Sequence, residues 1–81
     1  MPRFYFETRE DTRIIPDDEG LEYPDLDAAE WAATETARNF GRDLLAQDGA
    51  HEVVVELRDE HRQVVSTISV SVRTEKVRLA G

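Results

Sequence analysis

Cysteine is absent from this 81-residue chain, which removes disulfides, thiolate metal ligands and a thiol nucleophile together. A reducing, cytoplasmic setting fits that lack. Glycine is sparse, and the residues at 20, 41, 49 and 81 stand too far apart to build a phosphate-cradling loop. No apolar run approaches the ~18 residues of a membrane helix. Met1-Pro2-Arg3 leads straight into strand-like residues without the apolar core of a signal peptide, so an unexported protein with no membrane partner is expected. Lysine is nearly missing: Lys76 stands alone among ten basic residues, and the net charge is −8. The negative charge sits mostly in the first half, where 4 Arg face 11 Asp/Glu, against 6 Lys/Arg and 7 Asp/Glu from residue 41 onward. Counterion release from a phosphate backbone needs a basic surface. Nucleic acid is therefore not an expected partner, unless the fold gathers the later arginines onto one face.

Catalytic constellations are equally thin. His51 and His61 lie apart with no second histidine near either, whereas zinc needs clustered ligands. Ser66, Ser69 and Ser71 occupy a strand-like run without a nucleophile elbow. Neither a metal, a cofactor nor a catalytic residue is expected.

What is present organises into one small domain over residues 1–73, with an unpatterned tail at 74–81 expected to fray. Arg3-Phe4-Tyr5-Phe6-Glu7-Thr8 alternates, predicting a strand with Phe4 and Phe6 inward and Tyr5 outward. Arg13-Ile14-Ile15 follows a polar turn as a second strand that Pro16 ends. Leu26, Ala29, Ala33, Ala37, Phe40 and Leu44 recur at spacings of three and four, the stripe of an amphipathic helix. Asp25 or Asp27 is its N-cap, Asp27 with Glu30 forming a capping-box variant. Gly41 marks a close approach of helix and sheet, and Gly49 the helix stop. Val53–Leu57 and Val64–Val72 read as two strands joined by Asp59–Arg62, with Val64, Ser66, Ile68, Val70 and Val72 on one face. The order ββαββ predicts an α+β two-layer sandwich, a four-stranded, mainly antiparallel sheet with one helix on one face. Strand order is open at this level.

Three features invite a functional reading. The first is the acidic connection "PDDEGLEYPDLDAA", residues 16–29. A calcium loop centred on Gly20 would need ligands where Ile15 and Leu26 stand, so that register fails. Asp25 and Asp27 are accounted for at a helix start, where carboxylates meet the positive end of the dipole. Asp17, Asp18, Glu19 and Glu22 are left over, as a recognition surface or as the ligands of a looser divalent-cation or small-ligand site across 17–27. The second is Trp31, about 140° from the stripe centre at about 100° per residue, near Arg38 and on the side of Leu45. It either packs on the chain's own Leu21–Pro24 segment or faces a partner. The third is the outward sheet face, with Tyr5, Val54, Val65, Thr67, Ser69 and Ser71 among Arg3, Glu56, Arg58 and Arg73. Such a face meets water or a second sheet.

"MPRFYFETRED", "DDEGLEYPDLDAA" running into an Ala-rich helix, and "VVVELRDEHRQVV" together resemble a family of small alphaproteobacterial domains of unknown function. The resemblance covers residues 2 to 72 and implies the ββαββ fold without an activity. That family closes its last hairpin with an acidic turn ending in Gly, where this chain has His61-Arg62, so a non-glycine residue must supply the positive φ or the turn type must differ. The strand, the acidic "PDL" connection and the Ala-rich helix are also similar in layout to HicB-type antitoxin domains, an analogy of fold only. The expectation is a non-enzymatic domain acting through protein contacts, self-association included; the alternative is a ligand or cation module built on residues 17–27.

Overall fold

Alternation of apolar and polar residues at the start of the chain produces an eight-residue strand, β1 (Arg3–Glu10), in the computed structural model, which describes residues 1–44, 52–72 and 77–78. Phe4 and Thr8 are buried on its inner side, while Phe6 is partly buried between them. A two-residue turn with Asp11 at φ 50° leads into β2 (Arg13–Ile15), which pairs antiparallel with β1 from Glu10↔Arg13 to Thr8↔Ile15. Aspartate tolerates this left-handed conformation because its short side chain bonds locally. β1 runs two residues past the Thr8 expected from sequence, because the tight turn lets the ladder continue to its tip.

The acidic connection holds a strand that the sequence does not announce. β3 (Leu21–Glu22) pairs antiparallel with the beginning of β1, Arg3↔Glu22 and Phe4↔Leu21. The expected ββαββ order is therefore corrected: three strands precede the helix. Two residues carry too little periodicity to be read, and the hydrogen bonds that make them a strand come from β1.

The helix α1 (Leu26–Leu44) begins where the carboxylate of Asp25 accepts the Ala28 amide at 2.8 Å and the Asp25 carbonyl takes the Ala29 amide at 3.2 Å. Asp25 is thus the N-cap, and Asp27 sits inside the first turn, adding negative charge at the positive end of the dipole. The Asp27–Glu30 capping box does not form, because Glu30 turns away and accepts the Ser66 hydroxyl. Ala29, Ala33 and Ala37 are fully buried on the sheet side, with Gly41 buried beyond them. Leu26 is corrected from the buried stripe to an exposed N1 position. The expected stop at Gly49, the stripe position of Leu44, the placements of Leu45, His51 and Arg73, and the tail apart from residues 77–78 lie outside the described residues.

β4 (Glu52–Arg58) and β5 (Val64–Ser71) complete an antiparallel sheet of order β2-β1-β4-β5, with β3 on the same side of β1 as β2. The strand after the helix therefore enters between β1 and the last strand, resolving the order that sequence left open. Val53, Val55 and Leu57 are fully buried, in strict alternation, against the alanine stripe. One packing cluster joins Phe4, Ala29 and Leu57 with Phe6 and Tyr23; the other joins Ala33, Ala37 and Val55 with Phe6, Ile68 and Val70. Small side chains on α1 bring its backbone close to the sheet, so β-branched residues of β4 fill the space.

Asp59 organises the β4–β5 turn, its carboxylate accepting the His61 amide at 2.8 Å and the Gln63 amide at 3.0 Å. Arg62 takes φ 65°, so of the two alternatives open for this turn a non-glycine residue supplies the positive φ.

Candidate functional site

Asp17 is the centre of the acidic connection, and it faces the chain's own backbone. One carboxylate oxygen accepts the amides of Glu19 at 3.1 Å and Gly20 at 3.0 Å; the other accepts the Phe6 amide at 3.0 Å. Phe6 lies on β1 between the residues that β3 covers and those that β2 covers. Asp17 thereby satisfies a strand-edge amide in the gap between them, where an unmet buried donor costs about 1–3 kcal/mol. Burial pushes the Asp17 carboxyl upward, but the amides of Gly20, Phe6 and Glu19, helped by the Arg62 charge, hold it below its usual 3.8. This is a structural carboxylate.

Gly20 has a specific reason to be glycine. Its φ is 67°, and a Cβ there would stand 2.6 Å from the Phe4 carbonyl oxygen and 2.9 Å from the Tyr5 ring. Arg3 ties the same loop from the other side. It donates to the carbonyls of Glu19 at 2.8 Å and Gly20 at 3.3 Å, and pairs with Glu22 at 3.6 Å. Tyr23 follows, its amide donating to the Pro2 carbonyl at 3.1 Å and its ring stacking on Phe6 at 5.9 Å.

Tyr5 is corrected from a free outward aromatic to a covered one. The Arg62 guanidinium lies over its ring at 3.8 Å, and Arg62 also reaches the Asp17 carbonyl at 3.5 Å. The acidic loop and the β4–β5 turn therefore meet across Tyr5. Of the residues singled out from sequence, Tyr5, Asp17, Glu19 and Glu22 are drawn together here. Arg3 and Arg62, which sequence reasoning did not place in this group, are the cations that hold them. Asp18 stays exposed at the loop tip. Among the described residues, no group of three or more His, Asp or Glu is arranged to hold a metal ion.

The outward sheet face divides in two. Over β1 and β4, Glu7 stands opposite Glu56, a like-charge pairing that two arginines neutralise. Arg9 meets Glu56 at 3.0 Å, and Arg58 meets Glu56 at 2.8 Å and Glu7 at 3.6 Å. Over β5 the face carries Thr67, Ser69 and Ser71, all exposed, and Val64 is corrected to this face, because a register shift skips Val65 and sets Val64 opposite Arg58.

Trp31 and Arg38 lie elsewhere, on the helix. Trp31 is 69% exposed, which removes the expected packing against Leu21–Pro24; that segment instead delivers Tyr23 to the phenylalanines. Arg38 pairs with Glu35 at 3.0 Å, one turn away. The side of α1 that carries Glu30 adjoins β5, since Glu30 bonds Ser66. At about 100° per residue, Trp31 and Arg38 lean toward that same side.

No helix among the described residues is long and apolar enough to cross a membrane. No curated protein and no solved structure matches the chain. Residues 3–71, from the first residue of β1 to the last of β5, match the family described as a domain of unknown function (DUF6894), and the chain belongs to that family.

Proposed function

We propose that this is a non-enzymatic bacterial domain of the cytoplasm that acts through protein–protein contacts, with another protein or with a second copy of itself. The 69% exposure of Trp31 carries the reading. Tryptophan is the side chain whose burial contributes most at interfaces, and Arg38 beside it belongs to the same enriched set.

The chemistry of the acidic loop supports the same side. A general acid or base working near neutral pH needs a carboxyl raised by its surroundings. Asp17 is shifted the other way, and its two oxygens already accept three amides. A cation at this loop would have to displace those amides, so the ligand-module alternative loses its best ligand. Arg9 and Arg58 are engaged by Glu7 and Glu56 rather than free for a phosphate backbone.

Affinity capture from native lysate, run with the natural chain, Trp31→Ala and Tyr5→Ala, tests the proposal. Loss of the captured protein with Trp31→Ala and retention with Tyr5→Ala is the expected outcome. Equal retention by all three overturns the assignment of the Trp31 surface.

A further inference from the structure

β5 ends the sheet. Among the described residues no strand pairs with its outer side, so a row of backbone donors and acceptors lies open along Val64–Ser71. Natural edges are blunted by charge, proline or bulges. This one has neither charge nor proline in VVSTISVS, and its register shift lies at the Leu57/Arg58 end, outside most of its length. Val64, opposite the outward Arg58 beyond the register shift, is 48% exposed, and Val72 just past the strand is 54% exposed, whereas Ile68 and Val70 between them are partly buried on the helix side.

We infer that the β5 edge pairs antiparallel with β5 of a second copy, around a two-fold axis at Ile68, to form one continuous sheet with the two helices side by side on one face. The inference rests on the protein-contact reading above and names the partner. Opposed residues in an antiparallel pair point to the same face, so this register sets Ile68 against Ile68 and Ser66 against Val70 on the helix side. On the outer side it sets Thr67 against Ser69, with no charge buried.

The helices supply an independent check on the register. Glu30 marks the helix position above Ser66, and α1 runs along β5, since Ala33 and Ala37 share a cluster with Ile68 and Val70. Two strand residues advance about 6.6 Å, equal to about four helical residues, so the axis at Ile68 passes near Thr34. Antiparallel helices centred there bring Glu30 of each copy toward Arg38 of the other. Opposite charges thus meet in the register that sets Ile68 against Ile68. With α1 above β4 and β5 and strands about 4.8 Å apart, the two helix axes come to about 10 Å, within ordinary packing distance.

The lack of cysteine makes the register directly readable. Single substitutions Thr67→Cys and Ser69→Cys, mixed and oxidised, are expected to cross-link to each other faster than Val65→Cys does with Ser69→Cys. Sedimentation from about 1 µM to about 1 mM is expected to show a monomer–dimer equilibrium, which Thr67→Lys/Ser69→Lys weakens by at least about tenfold and Arg38→Glu weakens less. Circular dichroism of these variants, all at exposed positions, checks that the monomer stays folded. A monomer across the whole range, a dimer indifferent to the two lysines, or cross-links without preference for the 67–69 pair overturns the inference. In each of these results, capture of another protein through Trp31 leaves the broader reading standing; loss of both ends it.

Discussion

The two edges of this sheet are finished in opposite ways. Along β1, two short strands cover the edge and the Asp17 carboxylate closes the gap between them at the Phe6 amide. Along β5, eight uncharged residues end the sheet with no strand beside them among the described residues. A strand edge is a template for another strand, and proteins shield edges that must stay single. The difference separates an edge closed by the chain's own strands from one that no described strand covers. It also assigns Asp17 a structural role, which the density of acidic residues around it would not suggest.

Breaking the shielded edge should have the largest effect. Gly20→Ala places a methyl group against the Phe4 carbonyl at a positive φ. A loss of about 3 kcal/mol is expected in urea unfolding, with β3 detaching first in amide exchange. Asp17→Asn comes next. An amide side chain can still accept through one oxygen, but its NH2 would confront a backbone donor, for an expected loss of about 1–3 kcal/mol.

Acid should separate that variant from the natural chain. Because the folded carboxyl of Asp17 lies below its usual 3.8, its stabilisation is fully present above that value and fades as the pH falls through the lower, folded value. Thermal melts from neutral pH down to about pH 2 should show this acid-dependent component in the natural chain and its absence in Asp17→Asn. An equal acid loss in both proteins would remove Asp17 from this role.

Arg62 tests the junction over Tyr5. Arg62→Ala keeps the unfavourable φ and gives up the cation–π contact, an expected loss of about 1 kcal/mol. Arg62→Gly relieves the φ while giving up the same contact, so its stability should lie near that of the natural chain and above that of Arg62→Ala. The smallest effect belongs to the open edge. Thr67→Lys should change monomer stability by no more than about 0.5 kcal/mol in urea titration at low protein concentration, since the side chain is exposed and Glu56 lies opposite it.

Long periodic segments were legible from sequence because their patterns are locally complete. The alanine stripe, the alternation of Val53, Val55 and Leu57, and the parity of β5 from Ser66 onward each follow from which residues must leave water, whereas the register shift that turns Val64 outward has no local signal. The acidic loop was legible only in part. Its calcium register could be rejected at Ile15 and Leu26, and Asp25 could be placed at the helix start, but Asp17 finds its partner on Phe6, eleven residues away. Trp31 showed the reverse problem: its angle off the stripe was readable, whereas its exposure depended on where the Leu21–Pro24 segment went. That segment went to the phenylalanines, because Tyr23 can stack there.

By itself, then, the sequence determined the kinds of elements and their buried faces, since helical and strand periodicity are properties of neighbouring residues. The tertiary structure decided that β4 enters beside β1, that the acidic loop becomes a strand and an edge cap, that Trp31 is exposed, and that no described strand pairs with the outer side of β5. Those outcomes depend on hydrogen bonds and packing between residues far apart in the chain, which no local pattern encodes.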